Sequence, residues 1–415
     1  MQTITVPKQL IAKPILQSFQ DSSTIDKQAD VHTPMIWGMH KKMIKACIWF
    51  NIIAVALSIF KNPLTAFKAA TKLSNLRDSL RDNNAIIKYV KVDGKYYYTF
   101  NAPGWPSKAF NKYIANNLQK LEGPNTQPTL DTIVFGITKK CGYQCEHCFE
   151  WDALNKPETL SRENLLTVIH SFQEAGITQV QLSGGEPLNR FDDIIYILNH
   201  IKRGTEIWLY TSGYHFTGER AAVLKQHGLT GITVSLDHWI PELHNIFRGK
   251  KDAFAWAQKA VANARAQGLV VCLSLCATKE FITADNLLQY AELAKRWGVS
   301  FIQLLEPKAV GHYADKDIYL NKEQFLILEN FYTGYNFNPV YKTYPSIVYH
   351  GFYSRRTGCG GAGNHYVYID TDGDVHNCPF CQRKLFSALH GSLKENLRLM
   401  AQGGCNTYIN SSPKI

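Results

Sequence analysis

From residue 131 to residue 305, apolar β-branched segments alternate with helix-patterned ones, and no other feature limits the fold as strongly. Strands are expected at 132–138, 179–183, 206–211, 231–237, 270–277 and 301–305. Helical stretches lie between them, as at 161–175, 192–202, 219–227 and 251–266. Strand–helix units in succession imply an α/β chain with a parallel sheet and right-handed crossovers, curved or closed as a barrel. Ligands of such sheets sit beyond the C-terminal strand ends. The segments that carry chemistry fall there.

Directly after the first strand comes Cys141-Gly142-Tyr143-Gln144-Cys145-Glu146-His147-Cys148, a C-x3-C-x2-C spacing. Three thiolates on one loop can bind three irons of a [4Fe–4S] cube and leave the fourth iron without a protein ligand. A catalytic cluster needs that open iron, because a substrate group can coordinate it. Structural zinc needs a fourth ligand at hand, and His147, adjacent to Cys148, is poorly placed to close the same site.

The next strands end in Leu182-Ser183-Gly184-Gly185-Glu186-Pro187, in Thr211-Ser212-Gly213, and in Val234-Ser235-Leu236-Asp237, the last followed by His244 and Arg248-Gly249. Alone, the first of these is a turn. Beside a ligand, its glycine pair admits close backbone approach and Glu186 accepts from an ammonium. Ser235 reads equally as a strand-end hydroxyl satisfied by backbone. Asp237 fits a cap on the next turn, and Arg248 fits either an anionic ligand or a surface acid. Cys272 and Cys276 in the fifth strand, and Cys47 in an earlier apolar stretch, read as buried structural thiols.

A second set of cysteines follows residue 350. Residues 366–370 and 374–377 flank a turn at Asp372-Gly373 and read as a β-hairpin, with Cys359 before it and Cys378, Cys381 and Cys405 after it. Such a hairpin gathers distant thiols. Four thiolates complete a [4Fe–4S] cube with no open iron, or hold a structural zinc; the spacing leaves both open.

On the cysteine loop, with His147 in the aromatic position before the last cysteine, and on G-G-E-P one strand later, the chain resembles the radical S-adenosylmethionine (SAM) superfamily. The resemblance implies a partial (β/α)6 TIM-like barrel, and a [4Fe–4S] cluster on Cys141, Cys145 and Cys148 whose open iron is chelated by SAM. It implies reductive cleavage of SAM to a 5′-deoxyadenosyl radical that abstracts hydrogen from a substrate. It also implies SAM contacts from Phe149, Gly184, Gly185, Glu186, Ser212 and Ser235, with Ser212 standing where the family has Asn. The S-L-D…H…R-G stretch looks like that of members that modify peptides. Cys359, Gly373 and Cys378 match the C-x(9–15)-G-x4-C pattern of the auxiliary domains called SPASM and twitch. That match implies a second [4Fe–4S] cluster on Cys359, Cys378, Cys381 and Cys405, in the shorter, one-cluster twitch form. The implied substrate is a peptide or protein side chain, with an electron donor such as flavodoxin or ferredoxin as partner. Alternatives are a small-molecule dehydrogenase or cofactor-biosynthesis enzyme and, in a different class, a zinc or iron–sulfur interaction module without catalysis.

The resemblance leaves residues 1–130 unexplained. They hold 17 Lys+Arg against 7 Asp+Glu, so nearly the whole net charge of +11 sits in this third. The near-neutral remainder excludes nucleic acid as a partner, and a basic third points to an anionic surface. Residues 46–60 carry no charge and lie between Lys41, Lys42, Lys45 and Lys61. A spanning helix wants about 20 apolar residues. Spanning, interfacial and buried placements compete, and the surrounding charge favours the membrane. Iron ligation needs reduced thiols, so a cytoplasmic location is expected, attached to the inner membrane face through residues 41–82. The expected organisation is a weakly ordered leader (1–35), apolar and amphipathic helices (36–85), a hairpin-and-helix region (86–130), the barrel (131–345) and a small cluster-binding β-hairpin domain (346–415).

Overall fold

The computed structural model describes residues 34–403 except 82, 122–129 and 362. Most of the expected leader, residues 122–129 just before the expected start of the barrel, and Cys405 lie outside the described residues. Met35, assigned to the leader, is instead buried in strand β1 (Met35–Trp37). Helix α1 (Gly38–Phe60) follows at once, beginning well before the uncharged run. Helix α2 (Pro63–Ser79) starts on a strong local signal: Asn62 Oδ1 accepts from the Leu64 and Thr65 amides, with Pro63 in the first turn. Strands β2 (Lys88–Val92) and β3 (Lys95–Tyr97) join at Asp93-Gly94, whose positive φ values of 49° and 71° make the tight hairpin turn. β1 pairs antiparallel with β2, giving a three-stranded sheet. Ser107 caps helix α3 (Lys108–Lys120).

The α/β region runs β4 (Thr132–Gly136), α4 (Arg162–Glu174), β5 (Gln179–Ser183), α5 (Phe191–His200), β6 (Glu206–Thr211), α6 (Gly218–Gln226) and β7 (Gly231–Ser235). It continues with α7 (Pro241–Arg248), α8 (Ala253–Ala266), β8 (Val270–Cys276), α9 (Ala284–Arg296), β9 (Phe301–Leu305), α10 (Lys322–Phe337), β10 (Ser346–Tyr349) and α11 (His350–Thr357). The described residues close with β11 (Tyr366–Ile369), β12 (Asp374–His376), β13 (Phe386–Ser387) and α12 (Leu393–Gly403). The sheet order is β10-β9-β8-β7-β6-β5-β4-β11-β12-β13. Six parallel strands, β4 to β9, make the partial TIM-like barrel; β10 and β11 extend it in parallel at its two edges. The division expected at residue 345 therefore falls inside one sheet: β10 pairs with β9, and the C-terminal hairpin grows from β4.

Strand alternation sorts the side chains. Ile133, Phe135, Val180, Leu182, Ile232, Val234, Leu273 and Ile302 face the helices in one large core. Trp208, Val270, Cys272, Phe301 and Val348 form a second core with Met35, Val90, Tyr97 and Phe100 of the N-terminal region. Val270 and Phe301 open their strands and Trp208 and Cys272 stand third in theirs, so the small sheet plugs the closed, N-terminal end of the barrel. Phe100 is the stopper: its ring sits 5.6 Å from Trp208 and 5.9 Å from Phe301, and its full burial contributes about 1.5–3 kcal/mol. Polar ties reinforce the plug. Gln179 Nε2 donates to Phe100 O (2.8 Å), and buried Glu206 accepts from Gly104 N (3.2 Å) and Lys95 Nζ (3.3 Å). With the closed end filled, the opposite end is left for chemistry.

Cys272 and Cys276 are buried, as expected. Cys47 is exposed, contrary to expectation, because α1 buries only the side of Ile52 and Ala56.

Candidate functional site

The cysteine loop leaves β4 at the C-terminal edge and is held by three distant segments. Asn155 brackets Cys141: its Oδ1 accepts from Cys141 N and its Nδ2 donates to Cys141 O, both at 3.1 Å. The end of α7 supplies carbonyls, with Gln144 N donating to Arg248 O (3.2 Å) and Glu146 N to Phe247 O (3.0 Å). Beyond β9, His312 N donates to Cys148 O and the His312 ring Nδ1 to Cys145 O, both at 2.9 Å. Trp151 stacks on that ring at 3.8 Å. Gly311, at φ +56°, makes this approach feasible, since a Cβ there would lie 2.3 Å from Cys148 O.

The loop gathers Cys141, Cys145 and Cys148 with Tyr143, Tyr214 and Ala253 in one apolar cluster. Burial pushes the Cys141 and Cys148 thiols up to about 12. Burial raises Cys145 as well, opposed by the guanidinium of Arg248, whose NH1 donates to Cys145 Sγ at 3.6 Å. A cation against a buried sulfur favours the thiolate that iron requires.

Arg248 meets neither a surface acid nor an open anion site. Its Nε donates to Asp237 Oδ2 at 2.5 Å, both side chains being buried. Nor does Asp237 cap a turn; its Oδ1 accepts from Cys276 N (3.0 Å), and its own amide donates to His244 Nδ1 (3.1 Å). Burial alone would raise the Asp237 carboxyl, but the Arg248 guanidinium beside it holds it below the usual range. Burial drives His244 down to about 3, so the ring is a neutral acceptor. Asp237, His244 and Arg248 thus form a buried strut under Cys145.

The G-G-E-P segment also differs from expectation. The glycine pair approaches the chain itself: a Cβ on Gly184 would stand 2.5 Å from Thr138 O, and one on Gly185 2.4 Å from Lys140 O. Glu186 is 1% exposed and already takes four donors: Leu188 N (3.2 Å), Thr211 Oγ1 (2.8 Å), Ser212 N (2.8 Å) and Ser212 Oγ (2.6 Å). A carboxylate offers about four acceptor sites. Glu186 and Ser212 therefore lock the ends of β5 and β6 together, and an ammonium would reach Glu186 only by displacing one of these donors. Ser235, in contrast, ends β7 half-buried, and its hydroxyl bonds to none of the described residues. Phe149 packs edge-on against Tyr368 (5.6 Å) and Phe380 (6.2 Å) of the C-terminal region. It lines a cavity of about 210 Å³ with Lys139, Glu150, Asp370, His376 and Cys381.

A single ion needs three or more donors converging on one point, and among the described residues no three His, Cys, Asp or Glu side chains do so. Thiols that each bind a different iron of one cube stand further apart. Three gathered sulfurs, with a guanidinium donating to one of them, suit the thiolate ligation that an iron–sulfur cluster requires.

The comparisons with known proteins agree. Residues 135–294 match the model of the radical SAM superfamily. This region is a radical SAM domain. GTP 3′,8-cyclase of Aquifex aeolicus (strain VF5) is 28% identical over 223 residues, which is 50% of this chain and 68% of that protein. Mycofactocin maturase MftC of Mycolicibacterium smegmatis is 26% identical over 266 residues, covering 62% of this chain and 66% of its own. Against two further GTP 3′,8-cyclases, from Campylobacter fetus and Xanthomonas axonopodis, the chain spans only 62% and 54% of the relative's length. Among solved structures, Streptococcus suis SuiB bound to its precursor peptide SuiA superposes with a TM-score of 0.57 at 14% identity, over 85% of this chain and 82% of that one. Native anSMEcpe with bound AdoMet and a peptide gives 0.53 at 16%, over 67% and 83%. At such identities these structures establish the fold. The superfamily implies a [4Fe–4S] cluster and SAM.

Against the radical SAM domain, the second cysteine group hangs on the β11–β12 hairpin. Gly361 N donates to Cys359 Sγ (3.4 Å), and a Cβ on Gly361 would lie 3.4 Å from that sulfur and 3.5 Å from Cys378 Cβ, so these cysteines are neighbours. Cys381 follows one turn on, its amide donating to Cys378 O (3.0 Å) and its carbonyl bonded by His376 Nδ1 (2.9 Å). Asp370 fixes the other face of that imidazole at 2.9 Å. Sequence reasoning missed Asn155, Trp151, Phe247 and His312. They act through a few hydrogen bonds to the loop backbone or, for Trp151, a stack on the His312 ring, and such contacts leave no motif.

Proposed function

We propose that this chain is a radical SAM enzyme whose substrate is a peptide or protein side chain. The observation that carries the reading is the cysteine loop: three sulfurs gathered at the open end of a partial barrel, one bonded by a buried guanidinium, the loop braced from three sides. Cys141, Cys145 and Cys148 would hold the cluster. When bound, it supplies one electron to the sulfonium of SAM, which breaks to methionine and a 5′-deoxyadenosyl radical that takes hydrogen from the substrate. The chain's own part is positional. Arg248 favours the thiolate of Cys145, and the Glu186 brace fixes the strand ends on which SAM would rest. Ser235 offers a free hydroxyl there. Phe149, Tyr368 and Phe380 pack together beside the cysteine loop, where they would help keep stray hydrogen donors from a radical.

The peptide assignment draws on the SuiB and anSMEcpe folds, on MftC, and on the polar cavity between the cysteine loop and the C-terminal hairpin. Cys359, Cys378 and Cys381, with Cys405, would hold an auxiliary [4Fe–4S] cluster, and a flavodoxin or ferredoxin in a reducing cytoplasm would deliver electrons. A small-molecule reaction is the second reading, favoured by the GTP 3′,8-cyclases among the relatives. Anaerobic reconstitution followed by dithionite and SAM tests the class. About eight irons per chain and release of 5′-deoxyadenosine are expected; Cys145→Ala should release no deoxyadenosine, and Cys378→Ala should lose about half the iron. Zinc alone in oxygen-free protein would overturn the reading. Consumption of GTP, with no mass change in a co-expressed peptide, would favour the nucleotide alternative.

A further inference from the structure

The reaction leaves α1 and α2 without a task, although their surface is unlike the rest of the molecule. α1 has 23 residues, and its most apolar 18-residue window has a mean hydropathy of 2.0 with only 17% of it buried. Seven of the fifteen large exposed hydrophobic side chains among the described residues lie on these two helices. On α1 they form one stripe. Met39, Met43, Phe50 and Leu57 are 70, 61, 69 and 37% exposed, at helical spacings of four, seven and seven residues, with exposed Ala46 and Ala54 on the same line. Leu64 and Phe67 of α2, 63 and 52% exposed, continue it, and Phe67 meets Trp49 of α1 edge-on at 6.2 Å.

The charge around the stripe has one sign. Between Gly38 and Arg77 there is no acidic residue and there are seven Lys or Arg. Lys42, Lys45, Lys61, Lys68 and Lys72 are all exposed. An apolar face rimmed by cations matches an anionic lipid surface, where basic side chains meet headgroups and apolar ones enter the acyl boundary.

The opposite face of α1 is occupied. Ile52 and Ala56 pack on Ala66, Ala70 and Leu73 of α2 and on Phe110, Ile114 and Leu118 of α3. Midway along α1, Asn51 Oδ1 accepts from Trp105 Nε1 at 3.0 Å, and near its start Lys41 Nζ donates to Ile86 O. A spanning helix would have to peel off the body and leave these groups in hydrocarbon without partners. α3 in turn is tied to the closed end of the barrel: Lys112 Nζ donates to Gln173 O and Ile177 O (3.2 and 3.3 Å), and Asn116 Nδ2 to Gly176 O (3.0 Å), all just before β5 begins. The cysteine loop, Ser212 and Ser235 lie at the other end of the strands.

We infer that the outer face of α1 and α2 docks in the plane of an anionic phospholipid surface, with the barrel mouth turned away from the lipid. The enzyme is then a peripheral one that receives its substrate from the aqueous side, not from the bilayer. The inference is independent of the reaction and is tested without activity.

Full-length protein is floated with vesicles of phosphatidylcholine alone and of phosphatidylcholine with phosphatidylglycerol. Flotation only with the anionic vesicles, weakened by salt, is expected. Met43→Asp with Phe50→Asp should bind at least about tenfold more weakly with unchanged melting, since both side chains are exposed. A fluorescent non-natural residue at Met43, Phe50 or Leu57 then reports depth by quenching from lipids spin-labelled at set positions. Equal, shallow depth at all three supports the in-plane placement. A graded passage across the bilayer overturns it in favour of spanning. No flotation overturns it outright, and a dimer that Phe50→Asp dissociates shows that a second copy covers the face instead.

Discussion

Replacing Arg248 by methionine separates the strut from the cysteine loop it supports. The guanidinium and the Asp237 carboxylate are 8 and 2% exposed and meet at 2.5 Å. Without the cation, Asp237 keeps the Cys276 amide as its charge-stabilising donor and loses its main counter-charge. Removing one member of a buried pair costs about 3–5 kcal/mol. At roughly 2–4 °C per kcal/mol for a large domain, Tm should fall on the order of 10 °C. Urea denaturation of the metal-free protein, run as a double-mutant cycle with Asp237→Asn, reads the pair directly, and a strongly positive coupling is expected. Arg248→Lys should keep much of the stability but cannot serve Asp237 and Cys145 Sγ together. In reconstituted protein it should lower the cluster's reduction potential, because a donor to a ligand sulfur favours the more reduced, more negative state. A loss below about 1 kcal/mol for Arg248→Met, or a coupling near zero, would refute the strut.

Two further outcomes follow from buried groups elsewhere. Lys88 is fully buried and, among the described residues, its ammonium bonds only to Tyr341 O (2.8 Å); burial lowers it from 10.5 to about 7. The unfolded chain holds that proton more tightly, so stability should rise with pH between about 7 and 10, by at most about 1.4 kcal/mol per unit, and be flat with respect to this group below 7. Lys88→Met should remove that slope in urea titrations, and a wild-type minus variant difference that stays constant across this range would show that Lys88 is not the cause. Gly311→Ala places a Cβ 2.3 Å from Cys148 O at φ +56°, so it should cost about 1–3 kcal/mol and lower bound iron. Gly334→Ala, inside α10 with nothing within 4 Å of its Cβ, should instead stabilise by up to about 1 kcal/mol, and equal effects of the two substitutions would argue against a brace at Cys148.

The barrel was legible because its signals are local. Strand periods at 179–183, 206–211 and 301–305 recur as β5, β6 and β9, and Asp93-Gly94 and Asp372-Gly373 sit at the turns where such dipeptides belong. The cysteine loop was legible because ligand spacing is a property of a few adjacent residues. The edges were legible only in part: the β11–β12 hairpin was expected, but β10, and the pairing of β10 with β9 and of β11 with β4, depend on segments remote in sequence. The roles inside the site were not legible. Glu186 has the residue type for an ammonium and Arg248 for an anion, yet each finds its partners within the chain once β5, β6, β7 and α7 converge.

The sequence by itself determined the class of fold and the thiols that give this chain its chemistry, since periodicity and spacing are written in neighbouring residues. Only the tertiary structure decided which polar groups are already satisfied, which sulfur has a cation beside it, and which face of α1 is left bare. Those depend on burial and on partners brought from tens or hundreds of residues away, and a hydrogen bond once made inside the protein is no longer available to a ligand.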